Sequence, residues 1–266
     1  MILSRDIMAC LDRLAPQAYA CEWDNPGFLA GRQDKEVHRV LIALDVTTAV
    51  TEQAIRERAD MVITHHPLVF RALKKINDQN FISRRIVSLL QADISYFAMH
   101  TNFDTAPGGM ADLASGRLGL HKGQPLEVTG EAEGVPIGIG KVGELEKPVS
   151  LKTLADQVKA AFGLPFVLVY GADQVKEPIV RVAVSPGSGG SMLDAGIRAG
   201  AQVIVTGDIG HHEALDAVEQ HMAVMDAGHY GLEHIFIPFI RDYLKQEFGD
   251  ELELFEAEEA FPALVW

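Results

Sequence analysis

Two stretches of the chain carry the same order of apolar and polar positions. Residues 39–64 read RVLIALDVTTAVTEQAIRERADMVIT and residues 181–206 read RVAVSPGSGGSMLDAGIRAGAQVIVT, an ungapped offset of 142 (181 less 39). Arg39/Arg181, Val40/Val182, Ile55/Ile197, Arg56/Arg198, Ala59/Ala201 and Thr64/Thr206 are identical. In both stretches, short β-rich apolar runs flank a segment with helical spacing, which predicts strand, turn, helix, strand. Each copy then predicts another helix and strand: Ser83–Leu90 with ISYFAM (94–99), and Glu213–Glu219 with MAVM (222–225). Strands alternating with helices imply α/β lobes with buried, largely parallel sheets. The expected fold is therefore α/β, two similar lobes related by internal duplication, with the boundary near residue 122: residues 1–122 and 123–266.

The rest of the pattern is less regular. Ile7, Leu11 and Leu14 recur at helical spacing behind Ser4, with Arg5, Asp6, Asp12 and Arg13 among them, so an amphipathic helix fits better than a signal peptide. Residues 121–150, rich in Gly, Glu and Pro with one plausible strand pair, read as the connection between lobes. A helix fits 151–162 and a strand 166–170. A long helix from His229 to about Phe248 is expected to kink or stop at Pro238.

Composition narrows the function classes. Hydrophobic residues are 48% and charged residues 23% of 266, as in an ordinary globular protein. No apolar run approaches the ~18 residues of a membrane span. The formal charge of −14 disfavours nucleic acid and anionic membranes. Cys10 and Cys21 make no disulfide framework and read as core thiols in a reduced compartment. The cytoplasm is the expected location.

The candidate chemistry lies at predicted strand ends, where α/β sheets collect ligands. His65 and His66 close MVIT ahead of Pro67, His100 and Asp104 follow ISYFAM, and His229 follows MAVMDAG with Glu233 one helical turn on. Taken singly, each fits an ordinary hydrogen-bonded residue. Together, His65, His66, Asp104, His229 and Glu233 exceed a tetrahedral zinc site of three protein ligands plus water. They suit two metals sharing a carboxylate, provided the lobes face each other about a cleft. His211 and His212 open a predicted helix, either as polar end residues or as substrate and proton-transfer groups. In SPGSGGS, Gly187, Gly189 and Gly190 could bring backbone amides to a phosphate. A tight strand-to-helix turn is the simpler reading, since no lysine follows as in a P-loop.

These segments resemble the NIF-three-like dinuclear metal centre family, also labelled GTP cyclohydrolase 1 type 2. The matching stretches are EWDNPGFLAG (22–31), ADMVITHHPLVF (59–70), HTNFDTAPGGMAD (100–112), VSPGSGG with VIVTGDIGHHEALDA, and DAGHYGLEH (226–234). They span nearly the whole chain, in the short form without a middle insertion. The resemblance implies two divalent metal ions per chain, of zinc, iron, manganese or nickel, in a cleft between the lobes. It places the ligands on His65, His66, Asp104, His229 and Glu233, with Glu233 bridging, His66 and Asp104 on one ion, and His65 and His229 on the other. His100 and His212 match positions beside that site. The resemblance also implies a homohexameric ring and hydrolytic opening of the GTP imidazole ring, hence a small-molecule or nucleotide substrate. The residues themselves name no general base. A metal-binding scaffold or regulatory adaptor without turnover is the alternative.

Overall fold

The computed structural model describes residues 1–258 and Ala263. In chain order the helices and strands are α1 (Ser4–Leu14), β1 (Gly27–Ala30), β2 (Arg39–Ala43), α2 (Thr48–Arg56), β3 (Met61–Thr64), α3 (Phe81–Gln91), β4 (Ser95–Ala98) and α4 (Thr101–Thr105). There follow α5 (Met110–Arg117), β5 (Leu120–Ala132), β6 (Val135–Val149), α6 (Leu151–Phe162), β7 (Leu168–Tyr170), β8 (Ile179–Ser188) and α7 (Leu193–Arg198). The remainder are β9 (Val203–Gly207), α8 (His211–Glu219), β10 (Ala223–Asp226), α9 (His229–Glu233), α10 (Phe236–Phe248) and β11 (Glu253–Glu256). Two mixed sheets result, so the fold is α/β as expected. Among the described residues no helix is long and apolar enough to cross a membrane.

The first unit comprises Met1–Phe103 and the chain from Phe236 onward. Its sheet runs β1-β4-β3-β2-β11, with β2, β3, β4 and β11 parallel and β1 antiparallel on the edge. The strands are buried as near-continuous apolar runs, and α2 and α3 pack Val50, Ala54 and Leu89 onto Leu41, Val62 and Tyr96.

The second unit comprises Asp104–Ile235. Its sheet runs β5-β6-β8-β9-β10-β7, with β8, β9 and β10 parallel. Ala183, Ile204 and Val224 pack under Leu193, Ala195, Ala217 and Met222.

The sequence echo is structural. Val40 pairs with Met61 and Val182 with Val203, the same two positions 142 residues apart. The connections repeat as well. Asp60 Oδ2 accepts the His38 and Arg39 N–H groups at 2.9 and 3.0 Å, and Gln202 Oε1 accepts those of Val180 and Arg181 at 2.8 and 3.1 Å. These side chains take up amides at the start of each strand, so the same turn is rebuilt with a different polar group. An antiparallel edge strand also recurs: β1 on β4, and β7 on β10.

Several expectations need correction. The division does not fall at 122/123, because the chain returns after Ile235 and β11 pairs with β2, completing the first sheet. The strand pair expected within residues 121–150 is the β5–β6 hairpin, but it is a full part of the second sheet rather than a connection between lobes. Glu133 and Gly134, both at positive φ (51° and 78°), make its two-residue turn, the twist that hairpins favour. The C-terminal helix breaks at His234–Ile235 rather than at Pro238. Pro238 is the third residue of α10, in a first turn whose N–H groups lack intrahelical partners anyway. Ser4 does not cap α1. It lies buried inside the helix with its Oγ 3.2 Å from that of Ser95, while Asp6 accepts the Leu3 N–H at 2.8 Å. Cys10 is buried and Cys21 half-buried, and neither is in a disulfide among the described residues.

Candidate metal-binding groups

Both units place their chemistry at the carboxyl ends of parallel strands. In the first unit, β3 delivers His65 and His66, and β4 delivers His100. One donor atom from each of these three imidazoles lies within 4.8 Å of the others. His65 is fully buried, and His66 and His100 are largely so.

Each ring has one nitrogen tied back to the protein. His65 Nδ1 is 2.8 Å from the Met99 carbonyl oxygen, His66 Nδ1 is 2.9 Å from Asp45 Oδ1, and His100 Nδ1 is 2.8 Å from Asp24 Oδ1. A carbonyl or an ionised carboxylate can only accept, so Nδ1 carries the proton in each ring. In the neutral imidazole the lone pair then belongs to Nε2. This is the tautomer that metal-binding histidines use, with a carbonyl or carboxylate behind the ring fixing its orientation.

Asp24 is itself held firmly. Its side chain has no exposed surface, yet it stays ionised. Burial works to raise its carboxyl, but the hydrogen bonds from His100 and Thr101 outweigh that and bring it down to about 2. Thr101 contributes both its N–H, at 3.0 Å, and its hydroxyl, at 2.6 Å, to Oδ2.

In the second unit, β10 and the Ala227–Gly228 turn deliver His229 to the start of α9, and Glu233 follows one turn later. His229 Nδ1 lies 2.8 Å from Asp208 Oδ2, just beyond the end of β9. His229 Nε2 lies 2.9 Å from Glu233 Oε2, and Glu233 is buried. An imidazole lone pair facing a carboxylate oxygen at that distance calls for a cation, proton or metal, to join them. The donor set therefore fits a divalent ion. Gly187, at φ +82°, passes close by: a Cβ there would meet Glu233 Oε1 at 2.6 Å and His229 Nε2 at 3.7 Å.

The other predicted residues fall as follows. Asp104 lies half-buried on α4, four residues after His100. Gly189 and Gly190 are accounted for by packing, since a Cβ would meet Thr206 Oγ1 and Glu213 Oε1 respectively. β8 runs on through Ser188, which pairs with Gly207, so the glycine segment begins inside a strand. His211 and His212 are exposed in the first turn of α8, ring centroids 5.2 Å apart, and join none of the metal-capable groups among the described residues. Sequence reasoning missed the anchors Asp24, Asp45 and Asp208. For two of them the sequence carried a usable spacing. Asp45 precedes His66, and Asp208 precedes His229, by the same 21 residues, in each case across one helix and one strand.

The family model described as Duf34/NIF3 (NGG1p interacting factor 3) matches residues 2–260. A Clostridium perfringens protein named GTP cyclohydrolase 1 type 2 homolog is 31% identical over 258 residues, 96% of each chain. A Clostridium acetobutylicum protein of the same name is 34% identical, covering 86% of this chain and 84% of its own. Among solved structures, a Bacillus cereus protein related to NIF3 superposes with a TM-score of 0.89 at 22% identity, covering 100% and 99% of the two chains. A Staphylococcus aureus protein gives 0.85 at 28% identity, covering 99% of each.

Proposed function

Because the chain belongs to the Duf34/NIF3 family, we propose that it is a metal-dependent hydrolase with two divalent ions per chain, acting on a nucleotide or a similar small molecule. The proposed ligands are His65, His66, Asp104, His229 and Glu233, with Glu233 bridging. The observation that carries this reading is the repeated tether: four histidines at strand ends, each with Nδ1 held by a carbonyl or carboxylate. Surface histidines have no need of that arrangement, whereas ligand histidines do. Imidazole and carboxylate donors together suit zinc, iron, manganese or nickel.

A pair of such ions supplies Lewis acidity and an activated water. The protein's own part is positional. Met99, Asp45 and Asp208 set the ring planes of His65, His66 and His229, and the Gly187 backbone leaves room for the Glu233 carboxylate. His100, tethered by Asp24, stands beside His65 and His66 as a group that orients substrate or moves a proton. For an anionic substrate, the ions offset the −14 charge of the chain, and the N–H groups around Gly187 are the remaining candidates for a phosphate. The same reading carries a cytoplasmic, homohexameric assembly.

The relatives' name indicates the first substrate to try. The reconstituted protein is incubated with GTP and the released formate is measured, in wild type and in Glu233→Ala. The reading predicts metal-dependent formate release that falls at least about 100-fold in the variant. Full metal loading without hydrolysis of GTP or other nucleotides would overturn the hydrolase and leave the scaffold.

A further inference from the structure

Trp23 and Phe70 are large aromatic residues left in solvent, 60% and 44% exposed. They are neighbours, with ring centroids 5.9 Å apart and planes at 61°. Each also stands edge-on to His100, at 6.2 Å and at 79° and 84°. His100 in turn has a donor atom within 4.8 Å of those of His65 and His66. Two exposed rings thus flank the imidazole that borders the candidate metal ligands.

The loops that carry them are tied down. Asp24, next to Trp23, takes hydrogen bonds from His100 and Thr101. Asn25 Nδ2 donates to the Val69 carbonyl, joining the Trp23 loop to the Phe70 loop. Asp24 N–H donates back to the Cys21 carbonyl at 3.0 Å, closing a turn around Trp23. Apolar surface held in water on anchored loops is a feature of binding sites rather than of loose ends.

We propose that Trp23 and Phe70 form the specificity element of the site, taking the planar heteroaromatic ring of the substrate on their exposed faces. This rests on the reading of the neighbouring histidines as part of a metal centre. Aromatic faces are sequence-tolerant platforms for bases. In a chain of this charge they offer a means of holding a nucleobase that needs no basic side chain. The class of ligand is therefore a purine or similar fused heterocycle, recognised by stacking.

The test uses the metal-loaded full chain. The only other tryptophan is Trp266, so Trp266→Phe leaves Trp23 as the sole indole. Its emission is titrated with guanosine and, as a non-aromatic control, ribose 5-phosphate. The proposal predicts saturable quenching by guanosine and none by ribose 5-phosphate. Phe70→Ala should raise the half-saturating guanosine concentration about ten-fold, with metal content and circular dichroism unchanged. Trp23→Phe, which keeps an aromatic face, should retain guanosine binding by calorimetry, whereas Trp23→Ala should lose it. No quenching by guanosine, or equal quenching by both compounds, overturns the proposal. So does Trp23 emission that changes with protein concentration alone, for then a second copy covers the rings. Metal content measured on the same samples judges the metal centre separately.

Discussion

At the scale of the residue, the account turns on what stands behind each imidazole. Asp45 and Asp208 touch ring nitrogens, not ligand positions, so their loss should loosen the site without unfolding it. Asp45→Asn and Asp208→Asn are expected to weaken metal binding about 10- to 100-fold, read by competition with a chromophoric chelator. Gly187→Ala should be harsher. The φ of +82° is strained for alanine, and its Cβ would come within 2.6 Å of Glu233 Oε1 and displace that carboxylate. The expectation is loss of stoichiometric metal with the fold retained by circular dichroism. Asp24 gives a pH signature. Its carboxyl is at about 2 in the folded chain against 3.8 for a free aspartate. Lowered in the native state, it contributes stability above pH 4 that disappears as pH falls through 3.8 toward 2. The increment is about 2 kcal/mol. In Asp24→Asn it is absent, so the stability gap to wild type should shrink by about that amount between pH 5 and pH 2 in urea titrations. A gap independent of pH would assign Asp24 a purely steric role.

At the scale of the element, the repeated strand-helix-strand pieces were legible because their evidence is local. Strand runs such as VLIAL and MVIT and the apolar spacing of α2 and α3 lie within a few residues of one another. The parts that were misread depend on distant pairing. No element is predicted over 253–256, and the ladder of β11 with β2, with Gln53 bonding Glu256 O and Glu258 N–H, makes it a strand. The β5–β6 hairpin is polar and glycine-rich along much of its length, so the strand pair was visible but its place in the second sheet, set by pairing with β8, was not. The strand-end positions of His65, His66, His100 and His229 were readable because strand ends are readable. Their tethers were not, since Asp24 reaches His100 across 76 residues. β11 yields a prediction of its own. Ending the chain after Leu252 removes four ladder pairs and uncovers Leu41, which should cost the first unit about 2–4 kcal/mol. A lowered urea midpoint would show it. An unchanged midpoint would mean that β11 adds nothing to that sheet.

At the scale of the whole molecule, one α/β pattern is used twice with different chemistry at equivalent positions. His66 in the first copy corresponds to Asp208 in the second, and Asp45 to Gly187. One copy thus keeps a tethered histidine after its middle strand, while the other keeps there the carboxylate that tethers His229. The proposed ring also has a direct check: light scattering should return the mass of about six 29.0 kDa chains, and a monomer or dimer mass would exclude the hexamer. The central claim is the two-metal centre, and elemental analysis after reconstitution tests it most directly. The account predicts two ions per chain in wild type, and at most one in Glu233→Ala and in His66→Ala. Absence of stoichiometric metal in wild type, or two ions retained in both variants, would contradict it.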